Sequence, residues 1–65
     1  MKILLWKIRV EKDLTLLELA HITGLSKTHL NDIENERVSP RLDTLEIQAQ
    51  AMQVRITDLF DSDYK

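Results

Sequence analysis

Lys27, Thr28, His29, Asn31 and Asp32 crowd hydrogen-bond donors and acceptors into residues 27–32 of a 65-residue chain. Leu30 and Ile33, set among them, fall at the spacing of one buried helix face, so the polar side chains must point elsewhere. The chemistry such a face supports is hydrogen bonding and ion pairing with another molecule. Bond-making chemistry finds no comparable set of residues. The chain has no cysteine nucleophile, one glycine and hence no glycine-rich phosphate loop, and two histidines, His21 and His29, that fall on different expected helices. Glu18 and His21 have the Glu-x-x-His spacing of di-iron bundles, but one copy without partner carboxylates reads as an ordinary helix surface. No enzymatic activity, cofactor or metal is expected.

The elements that position the polar face lie in the stretch from Leu14 to Pro40. Thr15 is an expected N-cap, with Glu18 three residues later where a capping box wants a carboxylate. Leu16, Leu17, Leu19, Ala20 and Ile22 supply helix formers and apolar spacing. Gly24 follows at the point where a helix C-terminus wants a residue that tolerates the left-handed conformation. Ser26 then offers a second N-cap. Two short helices joined by one tight turn result, an arrangement by which a small protein presents a helix to a DNA groove.

Length and composition set the outer bounds. Sixty-five residues leave room for one domain with one core. Without cysteine there is no disulfide framework, so stability must come from helix packing, and an intracellular, cytoplasmic setting is expected. No apolar run approaches the roughly 18 residues of a membrane helix, and Ile3 to Trp6 is too short for the core of a signal peptide. The expected helices are Lys2 to Lys12, Leu16 to Thr23, Lys27 to Asn35, Leu42 to Met52, and a short last turn from Thr57 to Phe60. The fold class is therefore all-α, a compact bundle of about five short helices, with Ile8, Leu19, Ala20, Leu30, Ile33, Leu45 and Leu59 as core. The domain is expected over residues 1–60, with 61–65 as a loose polar tail. A second apolar stripe on the first helix, Ile3, Trp6 and Val10, points Trp6 toward the C-terminal segment or a partner.

Laid out in full, the chain resembles the lambda-repressor-like, XRE or Cro/CI type of helix-turn-helix regulator over nearly its whole length. The matching pieces are Ile8-Arg9, Leu14-Thr15, Glu18-Leu19-Ala20, the Gly24-Leu25-Ser26 turn, Ile33-Glu34-Asn35, the Pro40 loop with Leu42 and Thr44-Leu45, and Val54 with Asp58-Leu59-Phe60. The resemblance implies a helical bundle whose third helix enters the major groove of double-stranded DNA. It also implies a homodimer on a pseudo-palindromic operator and an output in transcription, most often repression.

Roles carried over by position make Ser26 to Glu34 the recognition helix. Lys27 and Thr28 become the leading base contacts: the lysine donates to guanine O6 or N7, and the threonine bonds a base edge or packs its methyl on thymine. Asn31 and Asp32, one turn on, are matched to adenine and to cytosine N4. Ser26, His29, Asn35, Arg37, Ser39 and Arg41 are matched to phosphates, contacts that hold register without reading sequence. The resemblance also pairs Arg9 with Glu34, tying the first helix to the recognition helix. Read without it, the polar residues from Lys27 to Asn31 are simply a solvated helix face.

Three residues depart from the family pattern. Leu16 stands where many relatives use a glutamine to clamp the DNA backbone, leaving only the helix N-terminus to meet a phosphate. Glu36 stands where relatives often have glycine and brings a carboxylate near the expected phosphate path. Gln48 occupies a commonly aliphatic position. If buried it needs a hydrogen-bond partner, or the fourth helix must rotate so that Ile47 shares the core position.

Charge argues against a generic DNA coat. Nine Lys and Arg against eleven Asp and Glu give a formal net charge of −2. The acid is uneven: residues 1–41 hold seven basic and six acidic side chains, whereas residues 42–65 hold two and five. The acidic third lies away from the expected reading surface, which suits a sequence-specific dimer better than an architectural protein. Ile56, Leu59 and Phe60 form the candidate dimer interface, with core capping as the other reading of Leu59 and Phe60. The rival function is a protein-interaction module on the same fold, an anti-repressor or antitoxin-like binder, favoured by Leu16, Asp32, Glu36 and the acidic C-terminal third.

Overall fold

The computed structural model describes residues 1–65 and contains four α-helices, one 3-10 turn and a two-stranded ladder. The helices are α1 (Leu5–Glu11), α2 (Leu16–Thr23), α3 (Lys27–Glu34) and α4 (Leu42–Met52), and the 3-10 turn is Ile56–Asp58. Strand β1 (Lys2–Ile3) runs antiparallel to β2 (Phe60–Asp61), with Lys2 opposite Asp61 and Ile3 opposite Phe60. The Leu4 N–H extends this pairing by donating to the Leu59 carbonyl at 2.8 Å.

The all-α reading holds in the four helices, and the ladder modifies its two ends. The first helix begins at Leu5 rather than Lys2 because Lys2 and Ile3 are drawn into backbone pairing. At the other end, the last turn forms one residue earlier than expected, at Ile56–Asp58, and releases Phe60 to β2. Asp61, the first residue of the polar tail, is part of the ladder.

Local signals place α2 and α3. The Thr15 hydroxyl accepts from the Glu18 N–H at 3.0 Å, and the Glu18 carboxylate accepts from the Thr15 N–H at 2.9 Å, a reciprocal capping box. The bond from the Thr15 N–H, and after it the Thr15 hydroxyl as a hydrogen-bond neighbour of the carboxylate, hold the Glu18 carboxyl below its ordinary range. Gly24, at φ +74°, closes α2 in the left-handed conformation. Ser26 caps α3 through its hydroxyl, which accepts from the His29 N–H at 3.0 Å.

The core is made by Leu5, Leu19, Leu30, Ile33, Leu45, Ala49, Met52 and Leu59, with Ile8 and Ala20 partly buried against it. Helix α2 packs on α3 and α4, and α1 packs on α3. Leu59 corrects one expectation. It has no exposed surface, because the 3-10 turn and β2 direct it inward, so it belongs to the core and not to a contact between molecules. Of the candidate dimer residues, Ile56 and Phe60 remain partly exposed. Gln48 resolves the other open question about α4: the helix is not rotated. Gln48 is 0% exposed, Ile47 is on the surface, and both polar atoms of the Gln48 amide lack a hydrogen-bond partner.

Candidate nucleic-acid interface

Helix α3 buries two side chains, Leu30 and Ile33, exposes Lys27, Thr28 and His29, and leaves Asn31 and Asp32 partly exposed. At about 100° per residue, Thr28 and Asp32 lie one turn apart near the centre of the outward face, opposite the buried pair. Lys27 and Asn31 flank them on one side and His29 on the other. The polar side chains read as a face in the sequence are thus brought together on one surface.

Anchoring of that surface comes from beneath. Arg9 on α1 reaches Glu34 at the end of α3 with two nitrogens, Nε to Oε2 at 2.6 Å and Nη2 to Oε1 at 3.1 Å. Its remaining nitrogen, Nη1, donates to the Leu14 carbonyl at 2.8 Å. The side chains are only 13% and 5% exposed. A bidentate guanidinium–carboxylate contact fixes direction as well as distance, so α1, the start of α2 and the end of α3 are held in one frame.

The polar residues also organise one another. Asn35 Nδ2 donates to the Asn31 carbonyl at 2.8 Å and to Asn31 Oδ1 at 3.1 Å. Arg37 Nη1 donates to Asp32 Oδ1 at 3.2 Å, and the Arg37 N–H donates to the Asp32 carbonyl at 2.9 Å. Two residues just past α3 therefore hold two residues on its second turn, a coupling that positional matching does not reveal. Arg41 lies 3.5 Å from Asp43, with both side chains largely solvent-exposed. Ser26, whose hydroxyl oxygen is occupied by the cap, keeps its O–H for another acceptor. Ser39 lies exposed on the loop between α3 and α4.

Besides the buried Gln48, the two other departures from the family pattern, Leu16 and Glu36, have clear structural settings. Leu16 packs partly buried against the core, and the Glu18 carboxylate folds back over the start of α2. That end of α2 therefore carries a negative charge beside its free backbone N–H groups. Glu36 adopts φ +57°, the left-handed region that glycine enters without cost. Its carboxylate accepts from the Ile3 N–H at 3.1 Å, joining the loop after α3 to β1.

Apolar side chains also reach the surface. Trp6 is 59% exposed on the outer side of α1 with Val10 one turn on, and Leu17 and Ile22 are exposed on α2. No helix is long and apolar enough to cross a membrane.

Comparison with known proteins places this geometry among relatives. The family model described as helix-turn-helix matches residues 7–59. The chain is 42% identical over 50 residues, 77% of its length, to an immunity repressor protein of Bacillus phage phi105. It spans 35% of the length of that relative.

Proposed function

This chain belongs to the helix-turn-helix family, and from that premise we propose that it is a sequence-specific, double-stranded-DNA-binding transcriptional regulator, a repressor that reads the major groove with α3. The observation that carries the reading is the outward face of α3: a run of donors and acceptors on a helix whose opposite side is buried and whose end is clamped by Arg9. Similarity to a phage immunity repressor supports it over a protein-interaction module.

Lys27, Thr28, Asn31 and Asp32 are the base-reading candidates, and Ser26, His29, Asn35, Ser39 and Arg41 the phosphate candidates. Arg37 belongs with the phosphate candidates by position, and its bond to Asp32 suggests a second duty. The domain is taken as residues 1–60, with 61–65 as a polar tail anchored through Asp61 in β2. A cytoplasmic location is part of the same proposal and is supported by a DNA target. This is a binding protein rather than an enzyme.

A homodimer is what a two-half-site operator would require. The longest extent of the molecule is 31 Å, whereas half-sites one helical turn apart are about 34 Å from centre to centre. One copy with one reading helix cannot occupy both. Ile56 and Phe60, partly exposed within the acidic C-terminal third, are the residues proposed for the contact between copies.

Selection from a random duplex library at low salt, with sequencing of the bound DNA, tests the reading. A two-fold motif with half-sites one turn apart, altered or lost by Lys27→Ala, is the expected result. Failure of the folded protein to enrich any sequence would rule it out.

A further inference from the structure

We infer that Arg37 is a positioning residue that presents the Asp32 carboxylate to the groove, and that Asp32 thereby selects cytosine at one position of each half-site. The inference rests on the proposed reading of DNA by α3. It differs in what it asks of Arg37, which positional matching alone makes a phosphate contact.

Asp32 sits with Thr28 at the centre of the outward face, and Arg37 holds it at two points: Nη1 on Oδ1 at 3.2 Å and the backbone N–H on the Asp32 carbonyl at 2.9 Å. One carboxylate oxygen, Oδ2, has no partner within the protein. A carboxylate pointed at a polyanion weakens binding to every sequence unless its charge is offset and it gains a donor. Arg37 supplies the first condition. The base pair must supply the second.

In the major groove the donors are the amino groups of cytosine N4 and adenine N6, and the remaining polar positions are acceptors that repel an ionised carboxylate. Adenine N6 is flanked by acceptors on both sides, its own N7 and O4 of the paired thymine. Cytosine N4 has an acceptor on one side only, and its C5 side presents a C–H. A carboxylate oriented by the Arg37 bond therefore fits cytosine best and is rejected by guanine and thymine. Holding that orientation is what makes the rejection effective, because a free aspartate turns away into solvent.

The test compares wild type, Asp32→Ala, Arg37→Met and the double variant in library selection. Affinities are then measured for the selected duplex and for one changed from cytosine to thymine at the Asp32 position. Both side chains lie at the surface, at 32% and 61% exposure, and circular dichroism verifies that each variant keeps its helices. Wild type is expected to prefer cytosine by about tenfold, within the range of a good base contact. Each single variant should flatten that preference at this position alone, and the double variant should flatten it no further. Arg37→Met uncovers the Asp32 charge and should also weaken binding to every sequence, a general loss that the double variant relieves, since it lacks both charges. If Arg37→Met instead leaves the cytosine preference intact and the double variant shows the same general loss, Arg37 is a phosphate contact and the inference fails. An unchanged base preference in Asp32→Ala overturns it as well. A wild type that selects no motif overturns the DNA reading itself.

Discussion

Arg9 and Glu34 form a two-point contact across 25 residues of sequence, with separations of 2.6 and 3.1 Å and almost no exposure of either side chain. Replacing either partner by alanine leaves the other charge buried without compensation. Such losses cost about 3–5 kcal/mol, a large share of the roughly 5–15 kcal/mol that holds a domain of ordinary stability. Arg9→Ala and Glu34→Ala are therefore each expected to be less stable than wild type by about 3–5 kcal/mol. An Arg9→Met, Glu34→Leu double variant should recover most of the stability. Urea titration followed by circular dichroism ranks the four proteins; equal stability of wild type and Glu34→Ala would refute the role.

Gln48 gives a prediction of opposite sign. Its amide is fully buried among Leu45, Ala49 and Met52 on α4 and bonds to nothing. An unpaired buried polar group costs about 1–3 kcal/mol, so Gln48→Leu, close in volume, should raise stability by that order. The urea midpoint should move up with the slope unchanged. A lower midpoint would show that the amide has a partner in solution.

The capping box of α2 predicts a dependence on acid. The Thr15 N–H first, and the Thr15 hydroxyl second, hold the Glu18 carboxyl below its ordinary range. A group whose folded-state pKa is depressed contributes fully above its unfolded-state pKa and loses that contribution as pH falls through the folded-state value. Glu18→Gln should therefore be less stable than wild type at neutral pH, with the gap closing in strong acid. Thr15→Ala, which removes the other half of the box, should cost about 1 kcal/mol. Urea midpoints at pH 7 and pH 3 check both; a gap that widens in acid would contradict the assignment.

Glu36 combines a backbone cost with a useful bond. Its φ of +57° disfavours any residue with a Cβ, while its carboxylate holds the Ile3 N–H. Glu36→Ala keeps the first and loses the second, whereas Glu36→Gly loses both. The glycine variant should be the more stable of the two by about 1 kcal/mol. It should also bind duplex DNA more tightly than wild type at low salt, having removed a carboxylate beside the expected phosphate path. Weaker binding by Glu36→Gly would mean that the tie to Ile3 positions the loop for DNA.

Legibility of the fold in the sequence followed the range of the forces involved. Thr15, Glu18, Gly24 and Ser26 act within four residues of their partners, so the boundaries of α2 and the start of α3 could be read directly. Strands of two residues have no periodicity to read, and β1 and β2 exist only because the fold brings Ile3 opposite Phe60. Leu59 was ambiguous between core and surface for the same reason: its direction depends on a pairing formed across the whole chain. The pairing of Arg9 with Glu34 came from resemblance, since nothing local marks either residue. On α3 the polar face was legible from Leu30 and Ile33, but the holds of Asn35 on Asn31 and Arg37 on Asp32 depend on how the chain turns after Glu34.

The ladder between Lys2–Ile3 and Phe60–Asp61 makes the molecule a nearly closed ring of chain, with its two ends leaving side by side. In an antiparallel pair loaded from such ends, tension falls on one hydrogen bond at a time, so the strands unzip rather than shear. Pulled by its termini, the protein should part first at Lys2 and Asp61, then at Leu4 and Leu59, at low force. Each step would also work loose the Ile3 bond to Glu36 while the helices remain packed. Mechanically, the ladder is a clasp at the edge of the fold.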